Sequence, residues 1–451
     1  MQLRDYQNRD VSRIRAAMAR TKRVCYTLPT GGGKTVMFAY IAHHAALKGK
    51  RILVLVHREE LLDQVCAALA NTPHGVIKAG RAADARHPVQ IASVQTLVNR
   101  DTASPELIVI DECHHATAMT WQSILDRFPA AHVLGVTATP VRMGSGLGLG
   151  DVFDTLVCGP SVRELTDAGY LAPCKVYAPA TVDTTGWRKR GGDYQRKDLE
   201  TAMNNNAVIG DAVEHYKLFA DGQPAIAFCV SVSHAEHVAD EFSRAGYRAA
   251  HVDGSTPSDI RRARIYGLGK TLDVLTSCDL ISEGVDVPIV SAGIGLRPTA
   301  SLALFKQQIG RILRPGKPEA VYLDHVGNCL RHNILPDTDI EWELKRGSKP
   351  RPKAPAVRQC PECYFTHTPA PICPACGHEY APTPREIQEQ EGRLEELRRV
   401  EKRKEIGRAR TWAELESIRK HRGYKPGWTF MRYAARHGKR AAMQMKETRD
   451  E

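Results

Sequence analysis

The chain has 451 residues, 63 Lys and Arg against 51 Asp and Glu for a formal net charge of +12, 42% hydrophobic residues and 12 cysteines. That length gives room for about three domains with cores of their own, and the apolar stretches are strand-sized, which argues against a signal peptide or a membrane span. A cytoplasmic location is therefore expected, with thiols reduced or metal-bound, and the basic excess favours a polyanionic partner over an acidic small molecule.

The first strong signal is an apolar run at 24–28, followed by Pro29-Thr30-Gly31-Gly32-Gly33-Lys34-Thr35 and a helical stretch at 36–46. Strand, glycine loop and helix are the parts of a triphosphate cradle. Backbone N–H groups and a helix N-terminus surround the phosphates, Lys34 reaches the outer ones, and the Thr35 hydroxyl takes Mg²⁺. The usual pattern has a glycine five residues before Gly33 where this chain has Leu28, so an ordinary Gly-rich turn is the competing reading. A second apolar run, Leu107-Ile108-Val109-Ile110, predicts a parallel strand buried on both faces that delivers Asp111-Glu112-Cys113-His114 at its C-terminal end. Asp111 suits Mg²⁺ and Glu112 suits the attacking water; a solvated loop is the plainer alternative. Strands are expected near 24, 52, 89, 107 and 132, alternating with helices, which makes residues 1–158 one α/β lobe.

Glycines at 144, 146, 148 and 150 mark a loop, and a second lobe, 159–340, shows strands near 175, 225, 248, 273, 289 and 320. Within it the polar stretch 184–206, with Arg188-Lys189-Arg190-Gly191-Gly192, reads as a surface loop. Arg311 and Arg314 lie three apart on a predicted helix and share a face. Their planar guanidiniums match the oxygens of a γ-phosphate held by the other lobe, against the bland alternative of a basic surface helix.

Residues 341–358 are rich in Pro, Lys and Arg and read as a linker. In 359–380, Cys360-Pro361-Glu362-Cys363 and Cys373-Pro374-Ala375-Cys376 form two knuckles in a segment too poor in apolar residues to fold alone. Four thiolates on one Zn²⁺ would supply the missing stability; a redox dithiol and accidental thiols are the alternatives, and His367 or His378 could replace a cysteine. The other eight cysteines, Cys113 included, read as core packing. From 341 onward there are 25 Lys and Arg against 16 Asp and Glu, a net +9 of the chain's +12. In the basic helical tail, 381–451, a solvated helix is expected over 385–410. Thr411-Trp412-Ala413-Glu414 is a capping box, Gly423 to Gly427 breaks the helix it starts, and 428–437 resumes it. Tyr424, Lys425, Trp428 and Arg432 interleave aromatic and basic types as base stacking and phosphate contact require. A mini-core of Trp412, Leu415, Ile418, Phe430 and Tyr433 accounts for the same pattern equally well.

Further motifs stand in a fixed order: Leu3-Arg4-Asp5-Tyr6-Gln7, His57-Arg58-Glu59-Glu60-Leu61, Ser93-Val94-Gln95-Thr96 and Thr137-Ala138-Thr139-Pro140. In the second half come Phe228-Cys229-Val230-Ser231, His251-Val252-Asp253-Gly254-Ser255, Val274-Leu275-Thr276-Ser277, Gly284-Val285-Asp286-Val287-Pro288 and Gln307-Gln308-Ile309-Gly310-Arg311. With the phosphate loop and the acid pair, this series resembles the DEAD/DEAH-type helicases of superfamily two over residues 3 to about 335. Its likeness is closest to the RadD-like DNA-repair helicases of bacteria and phages, carried by 134–140, Leu296 to Leu302 and Tyr322-Leu323-Asp324-His325-Val326-Gly327-Asn328 ahead of the cysteine cluster.

That resemblance implies two tandem RecA-like lobes with parallel sheets, binding ATP and Mg²⁺. It implies catalytic roles for Lys34, Asp111, Glu112, Arg311 and Arg314. Gln7 would read the base, Thr30, Gly31, Gly32, Gly33 and Thr35 would hold the phosphates, and Gly284 and Asp286 would complete the nucleotide site. His114, Thr137, Thr139 and Gln307 would couple hydrolysis to strand movement, while Arg58, Thr96, Ser231, Gly254 and Thr276 would touch nucleic acid. Ser282-Glu283 stands where many helicases carry an Arg, and the chain is short after the motor. The leading expectation is an ATP-dependent DNA translocase or helicase, with a single-strand-binding protein or recombinase as candidate partner. The alternatives are an RNA helicase, the translocating subunit of a restriction system, or a non-catalytic nucleic-acid-binding scaffold.

Overall fold

The computed structural model describes residues 2–81, 84, 86–141, 148–179, 181–203, 206–278, 287, 289–344, 351–352, 356–381, 406 and 409–450. They fall into two compact units, Met1–Tyr380 and Ala381–Glu451.

The larger unit begins with helix α1 (Asp5–Met18), strand β1 (Arg23–Thr27), α2 (Lys34–Leu47), β2 (Ile52–Val56), α3 (Glu59–Ala68), β3 (His74–Ile77), β4 (Val89–Ser93), a one-turn α4 (Val94–Leu97), β5 (Leu107–Asp111), α5 (Met119–Asp126), β6 (His132–Thr137) and β7 (Thr155–Cys158). The seven strands form one parallel sheet in the order β3-β4-β2-β5-β6-β1-β7. Helices cover both faces, so the central strands are largely apolar; every residue of β2 and β5 is buried. The edge strands β3 and β7, each of four residues and half-exposed, carry too weak a pattern to stand out in the sequence.

The second lobe has the order β12-β13-β11-β14-β15-β8, again all parallel. Its elements are α6 (Val162–Asp167), β8 (Cys174–Tyr177), β9 (Lys189–Arg190), β10 (Asp193–Tyr194), α7 (Arg196–Met203), α8 (Asn206–Phe219), β11 (Ala225–Cys229), α9 (Val232–Arg244), β12 (Ala249–Val252), α10 (Ser258–Gly267), β13 (Val274–Cys278), β14 (Ala292–Gly295), α11 (Leu302–Gly310), β15 (Ala320–Asp324) and α12 (Asn328–His332). All six expected strands are present. The expectation of a surface loop over 184–206 is corrected: β9 and β10 pair as an antiparallel hairpin, and α7 follows. Gly191 and Gly192, at φ 63° and 92°, supply the two left-handed residues of its tight turn.

Two features join parts that composition separates. After α12 the chain folds back across the second lobe and reaches the first. Lys306 Nζ donates to the carbonyls of Pro336 and Thr338, Arg163 pairs with Asp337 at 3.1 Å, and Leu344 packs on the first lobe's core beside Gly150. At the start of the expected linker, Ile340–Glu341 pair with Arg351–Pro352. The cysteine segment, in turn, docks on the open edge of the second sheet. Ala178 N donates to Tyr364 O at 2.9 Å, Gln359 Nε2 donates to Ala178 O, and Tyr177 bridges Phe365.

In the second unit, Thr411 caps the helix Trp412–His421 reciprocally with Glu414, and helices Trp428–His437 and Lys439–Asp450 follow. The helix expected over 385–410 lies almost wholly outside the described residues, as do residues 142–147 of the glycine loop.

Candidate active site between two lobes

The C-terminal ends of β1, β6 and β5 are neighbours, paired at Thr27 with Thr137 and at Asp111 with Val136. The phosphate loop, the Thr-Ala-Thr-Pro segment and the acid pair therefore emerge side by side. This is where an α/β sheet presents ligand chemistry. Gly31 and Gly33 have φ of 86° and 82°, left-handed values that any other residue adopts only under strain. Close approach adds a second constraint at Gly31, because a Cβ there would lie 2.9 Å from Leu171 and 3.7 Å from the Arg314 guanidinium of the other lobe. A Cβ at Gly310, likewise, would stand 2.5 Å from Thr30.

Leu28, the departure from the usual glycine pattern, has its side chain in the core and contributes its carbonyl, which accepts from Lys34 Nζ at 3.3 Å. The loop needs only backbone at that position. Gln7 is buried against the same loop: its Oε1 accepts from Arg4 N at 3.0 Å and its Nε2 donates to Gly32 O at 3.3 Å, beside Tyr6, whose hydroxyl also donates to Gly32 O.

A cavity of about 350 Å³ opens on this loop, lined by Lys34, Thr35, Asp111 and Glu112 from the first lobe and by Arg311 and Arg314 from the second. Leu61, Gln64 and Ala67, three apart on one face of α3, line it too. Both arginines are buried, at 8% and 9% exposure, which excludes the reading as surface cations. Burial lowers the Lys34 pKa against the pull of Glu112 and Asp111, and burial together with Glu112 raises that of Asp111. Three cations facing two carboxylates make a site that an anion with a bound divalent cation would complete. Thr35 and Asp111 border the same cavity and offer a hydroxyl and a carboxylate, the hard oxygen donors that suit Mg²⁺. A larger cavity of about 480 Å³ lies on the other side of Thr30, lined by neither Asp111 nor Glu112, and its Lys306 ammonium is already committed to backbone carbonyls.

Glu112 has φ 48°, a left-handed backbone that costs a non-glycine residue about 1 kcal/mol or more and tends to occur where function demands it. It turns the chain into the 3₁₀ turn Cys113–His115. His114 Nδ1 then stands 3.4 Å from Glu112 Oε2 and 3.1 Å from Thr137 Oγ1, and Thr137 Oγ1 also accepts from Thr139 N. His115 extends this contact, with its ring 4.1 Å from His114 and 4.6 Å from His57 at the end of β2. Gln307 is buried on α11.

The residues expected to touch nucleic acid are placed unequally. Arg58 is half-buried and Gly254 is exposed, while the Thr96 hydroxyl accepts from Ala79 N. Ser231 is 5% exposed and caps α9 through His234 N. Thr276 is fully buried, and its hydroxyl donates to Ala235 O at 2.6 Å. With its hydroxyl spent inside the lobe, this β13 threonine braces the sheet. Gly284 and Asp286 lie outside the described residues.

The four cysteine Sγ atoms lie within 4.8 Å of one another, with Cys360 to Cys376 at 3.6 Å and Cys363 to Cys373 at 3.8 Å. Tetrahedral sulfurs about 2.3 Å from Zn²⁺ stand roughly 3.8 Å apart, so the set fits that ion. His367 is spent on Thr368 O and the Tyr380 hydroxyl. In the tail unit a core of Ala409, Leu415 and Ile418 has Tyr424, Trp428 and Tyr433 packed against it, and Trp412 is buried as well. Tyr424 and Trp428 stack at 4.7 Å, half-buried, with the Arg432 guanidinium 5.8 Å from the Trp428 ring and Lys425 exposed beside them.

The described residues contain no helix long and apolar enough to cross a membrane. Residues 1–142 match the type III restriction enzyme res subunit family, and residues 209–316 match the helicase conserved C-terminal domain. A 51.5 kDa protein of a Lactococcus phage is 36% identical over 391 residues, covering 83% of this chain and 82% of its own. IRC3 of Saccharomyces cerevisiae, named as an ATP-dependent helicase, is 31% identical, covering 72% of this chain; the match spans about half of IRC3, 51%. The type I restriction enzyme EcoAI endonuclease subunit of Escherichia coli is 27% identical over 68% of this chain and 44% of its own. Among solved structures, the type ISP restriction-modification enzyme LlaBIII bound to DNA aligns with a TM-score of 0.54 at 16% identity, over 72% of this chain and 28% of its own. A fragment of a type I restriction HsdR subunit from Vibrio vulnificus aligns at 0.56 and 24%, over 74% and 65%; both structures show the same fold. Two helicase-family matches in the order of the two lobes, with relatives named as ATP-dependent helicases aligned across both, show that this chain belongs to the superfamily-two helicases of the DEAD/DEAH type.

Proposed function

We propose that this ATP-hydrolysing helicase moves on or remodels DNA, in DNA repair, recombination or phage replication. The observation that carries the reading is one cavity holding Lys34, Asp111 and Glu112 from one lobe and Arg311 and Arg314 from the other. Hydrolysis that depends on both lobes becomes a change in their contact. Lys34 and the N–H groups of the loop hold the β- and γ-phosphates, Glu112 orients the attacking water, and the two arginines neutralise charge that grows on the transferring phosphoryl group. Thr35 and Asp111 would hold Mg²⁺, which supplies charge neutralisation between the phosphates. Gln7 keeps the loop in shape from beneath and reads the base at its edge.

DNA as the track is supported by a structural neighbour described as bound to DNA and by a restriction-enzyme relative. The phage relative, matched over most of both chains, supports a phage setting. Those restriction relatives also favour a second reading, the translocating subunit of a restriction system. ATPase rates measured alone and with single-stranded DNA, duplex DNA or RNA test the proposal. Stimulation by DNA is expected, and stimulation by RNA alone would overturn it.

A further inference from the structure

The hairpin β9–β10 is a built feature, with a buried root and a charged tip. Asp193 turns inward and accepts from Ala300 N at 2.7 Å, Thr299 Oγ1 at 2.9 Å and Arg297 Nη2 at 3.3 Å. Tyr194 is buried with Leu199, Met203, Val230 and Val326, and Trp187 packs edge-on to its ring at 5.4 Å. Those partners lie just beyond the C-terminal ends of β11, β14 and β15. Arg196, which opens α7, reaches Cys278 at the end of β13. The insert thus caps the sheet end on which the second lobe also presents Ser231 and exposed Gly254.

Charge distinguishes the tip. Arg188, Lys189 and Arg190 are consecutive and exposed, with the glycine turn beyond them. Only Arg188 has a carboxylate partner among the described contacts, Asp198 at 3.4 Å, because Asp193 is spent on the root. Apart from these three, residues 1–340 hold 35 Lys and Arg against 35 Asp and Glu. A solvated hairpin has no need of a three-bond carboxylate clasp and an aromatic root, since holding a tip still costs conformational entropy. Fixed placement is useful where a rigid, evenly charged polymer passes.

We propose that this hairpin is a basic finger that grips the phosphodiester backbone of the strand on which the motor moves. The inference rests on the reading of the protein as a nucleic-acid motor. Lys189 and Arg190 each neutralise a phosphate, and the side-chain-free Gly191-Gly192 turn lets the backbone come close.

The test compares the full chain with its Lys189→Glu/Arg190→Glu variant, measuring single-stranded DNA affinity across a salt series together with ATPase with and without DNA. Both side chains are exposed and outside the ATP cavity, so the basal ATPase and melting temperature should equal those of the wild type. Loss of two phosphate contacts should reduce the log-log salt slope by about 1.4, with a matching loss of affinity at low salt. Lys189→Arg/Arg190→Lys, which keeps both charges, should retain wild-type slope. An unchanged slope and affinity in the charge-reversed variant, with the wild type still stimulated by DNA, would overturn the finger alone. A wild type that responds to no polynucleotide would overturn the motor reading and the finger with it.

Discussion

His114 Nδ1 sits between two partners, 3.1 Å from the Thr137 hydroxyl and 3.4 Å from the Glu112 carboxylate, so one imidazole joins the acid motif of β5 to the segment that ends β6. A displacement at Glu112 would therefore be passed through His114 to Thr137, whose hydroxyl also holds the Thr139 amide. Replacing Thr137 by Ala removes the hydroxyl that links His114 to the Thr139 amide, and a coupling of about 1–3 kcal/mol, or 5- to 150-fold, should go with it. Nucleic-acid stimulation of ATPase should fall by such a factor while ATP affinity changes little. A variant that lost ATP binding and stimulation together would assign Thr137 to the nucleotide site instead.

Hydrolysis should separate from binding at the acid pair. Lys34→Ala removes the first lobe's lysine from the cavity and should abolish productive ATP binding. Glu112→Gln keeps shape and φ 48° turn but loses the carboxylate, so it should bind ATP and turn over very slowly. Arg311→Ala should cost about 10³- to 10⁵-fold in turnover, the range of an arginine finger. Wild-type turnover in any of the three would remove that residue from the mechanism.

Most of this site was legible because its chemistry is local in the chain. Glycines with positive φ, a lysine at the start of a helix and carboxylates after an all-apolar strand each leave a contiguous mark. Contacts that close over long sequence distances leave none, and these were misread or missed. Nothing near Thr276 announces that Ala235 takes its hydroxyl, and nothing near Arg188 announces the Asp193 clasp on Thr299 and Ala300. Lys306 looks like one more basic helix residue until Pro336 and Thr338 fold back onto it. The tail's two readings share a similar fate: Trp412 and Leu415 went to the core while Tyr424 and Trp428 stayed half-exposed, a division that helical periodicity does not decide.

Zinc should matter to the motor as well as to the ribbon. Sequence alone suggests that losing a cysteine unfolds a distal bead, whereas Tyr364 and Phe365 pair with the edge strand β8 at Ala178 and Tyr177. Metal analysis should return one Zn²⁺ per chain, and Cys363→Ser or a strong chelator should release it. Because the sheet edge is then uncovered, the first melting transition should fall by several degrees, at about 2–4 °C per kcal/mol for a lobe of this size. Zinc-free protein with an unchanged melting curve would show that the four thiols are structurally idle.

The tail offers two tryptophans with different work. Trp412 is buried at 8% exposure and touches Phe430 and Tyr433, so Trp412→Ala should cost about 3–5 kcal/mol and melt the helical unit. Trp428 is stacked on Tyr424 at 4.7 Å with Arg432 alongside, a half-exposed arrangement in which an aromatic face and a cation are available to a base and its phosphate. Trp428→Ala should therefore weaken single-stranded DNA binding by about 1–3 kcal/mol. It also removes some contact with the core, so far-ultraviolet circular dichroism must accompany the binding measurement, and Trp428→Phe, which keeps an aromatic face, should restore most of the affinity. Helical signal lost with affinity unchanged would make Trp428 a core residue like Trp412 and leave the tail's basic charge to a partner other than DNA.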